Sequence, residues 1–263
     1  MGVTVEVIKQ AGRSPKDKVS PAAYFFFAEQ SRLLLLFILL FRYQTFATLS
    51  GKKFVHFLED EATGLAAVDE STKRYFYDLH EKSRWQPFIY ELFFCRQVEV
   101  FEKYLKDLLV LIFRKHRNAL KSRDNVSLEE VLGYTDMEEF VEAYIQRKVE
   151  KTSFSGLETL LGEFEKLGLR RFLDKDDCEK IKKSFIIRNR IIHRNILAAE
   201  VEKRKIFNRY VAELRELYGE FEDCAEYFYL LVTGIDKKVV SKFDIGVTNK
   251  AIGTWTWGDL ERP

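Results

Sequence analysis

Residues 86–117, QPFIYELFFCRQVEVFEKYLKDLLVLIFRKHR, place apolar side chains at Phe94, Val98, Phe101, Leu105, Leu108, Leu109 and Ile112. Steps of three and four put these residues on one side of a helix, so the stretch predicts one long amphipathic helix from Gln86 to Arg117. Pro87, near its start, is tolerated in a first helical turn, where its missing N–H has no partner to lose. The rest of the chain follows the same habit. Its 263 residues contain only four prolines and thirteen glycines and are rich in Leu, Phe, Glu and Lys, which points to an all-α fold class. The length suits one large domain or two small ones and is ample for a buried core.

Upstream, Ser20-Pro21 fits a helix start, with Ser as N-cap and Pro at the first position, and the helix should run from Ala22 to Thr48 before Ser50-Gly51 stops it. Shorter helices are expected over Lys53–Glu61 and Asp69–Ser83. Downstream, Ser127-Leu128-Glu129-Glu130 has a capping-box pattern, and Thr135-Asp136 opens a helix reaching about Glu150. A helix from Ser153 to Leu167 should end at Gly168. Asp174 or Lys175 opens the next, and a last long one, about Ala198 to Thr233, should stop at Gly234. Residues before Ser20 read as a brief strand or loose arm, and Lys238–Ile245 alternates weakly, as a strand would. Trp255 and Trp257 lie in a tail whose rings dock on the body or, alternatively, stack on unpaired bases. The organisation expected is a helical extension over 1–85, a helical bundle over 86–234 and a short irregular or β tail over 235–263.

Two function classes recede on composition. Leu33 to Phe41 is an apolar run of nine residues between Arg32 and Arg42, well short of the roughly 20 that a membrane span needs, so no membrane association is expected. Cys95, Cys178 and Cys224 are far apart, form neither a zinc spacing nor a disulfide framework, and suit a reducing cytoplasm. The chain also lacks a Gly-rich phosphate loop, a His-Glu-two-residue-His element and any acidic cluster of metal-binding spacing, so neither cofactor nor metal is expected.

Chemistry concentrates at Arg188-Asn189-Arg190-Ile191-Ile192-His193. At about 100° per residue Asn189 and His193 share a helix face. Ile186, Ile187, Ile191, Ile192, Ile196 and Leu197 spread around the circumference, which predicts a helix buried in a core or against a second subunit. An arginine and a histidine in such surroundings need a carboxylate, a carbonyl or a bound phosphate to offset their desolvation. Between Cys178 and Arg209 ten basic residues face three acidic ones, whereas the whole chain carries only +2. A local excess of this size suits a phosphodiester, with Lys182, Lys183, Arg190 and Arg194 as candidate RNA contacts. The structural alternative is that Arg188 and His193 are simply paired in a packed helical core and the basic residues form a solvated helix face.

The pattern Arg-Asn-three residues-His resembles the signature of the HEPN (higher eukaryotes and prokaryotes nucleotide-binding) domain family. Val98-Glu99-Val100-Phe101-Glu102-Lys103-Tyr104-Leu105 is similar to the first long helix of its larger prokaryotic members. The likeness extends over about Gln86 to Gly234, although Arg194-Asn195-Ile196-Leu197 stands where many relatives carry a small residue. It implies an HEPN-like helical bundle and a homodimer. It also implies a metal-independent endoribonuclease of a toxin or anti-phage defence system, with an antitoxin or defence-system protein as a further partner. Arg188, Asn189 and His193 would take the catalytic positions, and Glu102, with Glu99 as substitute, would be their acidic companion. A catalytically silent module that binds RNA or a nucleotide is the alternative within that family; a purely helical assembly protein is the alternative outside it.

Overall fold

The computed structural model describes residues 18–49, 85–120, 126–154, 156–169, 173–193, 212–214, 216–218 and 221–248. The fold is all-α, with one short strand pair. Strand β1 (Lys18–Val19) precedes helix α1 (Pro21–Leu49), which is followed by α2 (Trp85–Lys115), a 3-10 turn (Arg117–Leu120), α3 (Leu128–Leu132) and α4 (Met137–Phe154). Then come α5 (Leu157–Lys166), α6 (Lys175–Ile192), α7 (Phe221–Phe243) and strand β2 (Val247–Thr248). The two strands pair antiparallel, Lys18 opposite Thr248 and Val19 opposite Val247. The helices expected over 53–61 and 69–83, and the tryptophan tail, lie outside the described residues. No helix among the described residues is long and apolar enough to cross a membrane.

Helix α2 is the hub: α1, α4, α5, α6 and α7 all pack on it. Every residue of its expected stripe is buried, from Phe94 and Val98 through Ile112. Because neighbours surround it, Val100, Tyr104 and Phe113, off that stripe, are buried as well. Ala22 and Phe26 of α1 belong to the same core as Phe101 of α2 and Phe228 of α7. Phe26 meets Tyr104 at 5.8 Å between ring centroids, and Phe101 meets Phe228 at 5.0 Å. The first described helix is therefore built into the bundle that α2 organises.

The helix starts follow local chemistry. Ser20 Oγ accepts from the Ala23 N–H at 3.1 Å, Ser127 Oγ from Glu130 N–H at 3.1 Å, Asp136 Oδ1 from Glu139 N–H at 2.8 Å and Asp174 Oδ1 from Asp177 N–H at 2.7 Å. Each satisfies a first-turn donor that the helix itself leaves unpaired. Gly168 ends α5 as expected, with φ +76° and the paired bonds Leu169 N–H to Phe164 O and Gly168 N–H to Glu165 O, the double closure that glycine favours past a helix end.

Three expectations are corrected. The helix expected over Ser153–Leu167 is divided: α4 runs on to Phe154 and α5 starts at Leu157, because Gly156 between them takes φ +101°, which no α-helical residue adopts. Gly234 does not stop the last helix. Val232, Ile235, Val239 and Phe243, three or four apart, are all buried, and that burial outweighs the roughly 1 kcal/mol a mid-helix glycine costs. For the same reason Lys238–Phe243 is helical, and the strand lies beyond it at Val247–Thr248.

Candidate nucleic-acid cleft

Helix α6 carries the motif. It ends at Ile192, and His193 is its C-cap, its N–H donating to the Asn189 carbonyl at 2.9 Å. The expectation of an apolar helix buried all round is corrected: Ile187 and Ile191 are buried, but Ile186 is 50 % and Ile192 47 % exposed. The apolar residues supply one core face and leave two isoleucines on the outside. Ile196, Leu197 and Arg194 lie outside the described residues.

Arg188 leaves α6 at the edge of that core face. Its Nη2 donates to Glu102 Oε2 of α2 at 2.6 Å, and its guanidinium lies over the Phe185 ring, 5.3 Å from the centroid. The side chain is 18 % exposed, and its Nε is buried without a hydrogen-bond partner. Glu102 receives two further donors, both at Oε1: Lys106 Nζ at 2.8 Å and Ser153 Oγ of α4 at 3.0 Å. Burial pushes the Glu102 carboxyl upward, but the Lys106 hydrogen bond, the charges of Lys106 and Arg188 and the Ser153 hydroxyl outweigh it and hold the group below its ordinary value. Glu102 therefore stays a carboxylate and ties α2, α4 and α6 together at one point.

That point is the floor of an open cleft of about 1230 Å³. Lys182, Arg188, Asn189 and His193 line its α6 side, and Arg147, Lys151 and Ser153 line its α4 side. Gly156 to Thr159, at the α4–α5 break, line it as well. The His193 side chain is exposed and free of protein partners among the described residues, so the imidazole is open to a ligand.

Of the residues expected at the site, Arg188, Asn189, His193, Glu102 and Lys182 come together here. Lys183 and Arg190 do not line the cleft; Arg190 turns away to pair with Glu213 at 3.2 Å. Glu99 bonds Arg96 at 3.3 Å on the α1 side of α2, so Glu102 alone of the two acids meets Arg188. Sequence reasoning missed Lys106, Arg147, Lys151 and Ser153. Lys106 had a signal, since a lysine four residues after a glutamate on a helix is placed to pair with it. Among the described residues no group of three or more His, Cys, Asp or Glu gathers as a metal site would require. Comparison of the chain with family models, with curated proteins and with solved structures gives no match.

Proposed function

We propose that the protein is a metal-independent endoribonuclease of the kind found in toxin and anti-phage systems, acting in the cleft between α4 and α6. The observation that carries this reading is the convergence of Arg188, Asn189 and His193 with Glu102, 86 residues away in sequence, on the floor of a cleft rich in cations. In the reaction, the ribose 2′-oxygen attacks the adjacent phosphorus as its proton passes to a base. The bond to O5′ breaks, and that oxygen takes a proton from an acid. The products are a 2′,3′-cyclic phosphate and a 5′-hydroxyl. His193 moves protons, for which imidazole is suited near neutral pH. Arg188 holds the phosphate and meets the charge growing on its oxygens, while Asn189, on the face of His193, orients the ring or the phosphate.

One protomer brings a single described imidazole to the cleft, and the reaction needs both a base and an acid. A homodimer through α6 would supply the second. Exposed Ile186 and Ile192 on that helix are the residues such a contact would cover. The same single imidazole favours the second reading, a monomeric module that binds RNA without cutting it. The described cysteines are free thiols, which accords with a cytoplasmic setting.

Incubation of the pure protein with total RNA in EDTA, followed by analysis of the new ends, separates the readings. Cyclic phosphates and 5′-hydroxyls are expected. Intact RNA retained on the protein favours the silent module, and cleavage that returns only with Mg²⁺ contradicts the mechanism.

A further inference from the structure

The cations around the cleft are not equivalent in their charge balance. Lys182 is matched by Glu158 at 3.0 Å and Glu179 at 3.8 Å, and Arg147 by Glu130. Among the described residues, Lys106 and Arg188 instead share the carboxylate of Glu102. Those three groups together carry one unit of positive charge in excess, in a partly desolvated cleft whose lining also holds Lys151 and Glu150, and an unmatched ion there is costly. A phosphodiester brings the one negative charge that would balance it.

The two cations also differ in freedom. Arg188 is held against Phe185 and is 18 % exposed, whereas Lys106 is 36 % exposed and ends in a compact charge on a flexible stem. Lys106 Nζ and Ser153 Oγ both reach Oε1 of Glu102. If the ammonium turns toward a ligand, the hydroxyl remains on that oxygen and Arg188 on the other, so the carboxylate keeps a donor at each. Resting on the reading of the cleft as an RNA site, we infer that Lys106 is a substrate-binding residue whose ammonium holds a non-bridging oxygen of the phosphodiester seated at Arg188.

The test is binding of a short, labelled, single-stranded 2′-O-methyl RNA, which lacks the attacking hydroxyl, followed by fluorescence anisotropy across a salt series. One single-strand phosphate contact contributes about 0.7 to the slope of log affinity against log salt. Lys106→Met should reduce the slope by that amount, and Lys106→Arg should restore it. Lys106→Gln, measured beside them, keeps the test decisive if the methionine variant does not fold. An unchanged slope in a folded Lys106 variant overturns the inference even if the wild type cuts RNA. A reduced slope in a protein that cuts nothing supports it while removing the nuclease reading. A wild type that does not bind the strand overturns both.

Discussion

Two carboxylates anchor this molecule, and they are built in opposite ways. Asp236 of α7 is 3 % exposed and meets Ser20, at the start of α1, through the Ser20 N–H at 3.0 Å and the Ser20 hydroxyl. Both donors are neutral. Burial therefore dominates and holds the Asp236 carboxyl above its ordinary value, against the two Ser20 hydrogen bonds. Glu102 is surrounded by cations and held below its ordinary value. Asp236 closes a junction between the chain's first and last described helices. Glu102 leaves positive charge in excess toward an open cleft. A buried carboxylate with neutral donors serves architecture, whereas one shared by two cations at a cleft leaves positive charge there, as the proposed phosphodiester site requires.

That contrast breaks most sharply at His193. His193→Ala should reduce RNA cleavage by about 10²–10⁴-fold, the range for an acid–base group, with no change in melting temperature because the ring is exposed and touches no core. Asp236→Ala should do the reverse. Stranding the buried Ser20 donors should cost about 1–3 kcal/mol of stability in a denaturant titration, while cleavage well below the melting point stays at the wild-type rate. Equal losses of activity in both variants would erase the distinction.

The smallest effect is in the acid range, where the two groups pull stability in opposite directions. Glu102 has a lowered folded pKa, so its contribution is complete above the unfolded value of about 4.3 and is lost as pH falls through the folded one. Asp236 has a raised folded pKa. The folded state holds its proton more tightly, so stability declines as pH rises from about 3.9 through the folded value. Urea midpoints across that window should show Glu102→Gln flattening the acid loss and Asp236→Asn flattening the opposing trend.

Much of this architecture is legible in the residues, and the exceptions have a common cause. The α2 stripe, the caps at Ser20, Ser127 and Asp174 and the stop at Gly168 are local, set by periodicity and by donors within one turn. Gly156 and Gly234 were misjudged because the effect of a glycine depends on what its neighbours bury. Gly156 turns the chain between two helices, while Gly234 lies in a helix held by four buried residues beyond the reach of a local rule. Ile186 and Ile192 read as core from composition but lie outside, since an apolar circumference does not reveal which side meets protein. At the site, Arg188, Asn189 and His193 were legible as a motif and Glu102 through the family likeness. Ser153 was not, because its hydroxyl meets Glu102 only through the end of α4, which rests on the turn at Gly156.

The central claim, that this cleft cuts RNA through the substrate's own hydroxyl, is tested most directly with a labelled strand carrying one ribose 2′-hydroxyl among 2′-O-methyl nucleotides. Incubated in EDTA with the wild-type protein, the strand should be cut only on the 3′ side of that ribose, leaving a cyclic phosphate, and His193→Ala should leave it intact. Cleavage at positions that lack the hydroxyl, or equal cleavage by His193→Ala, would contradict the account.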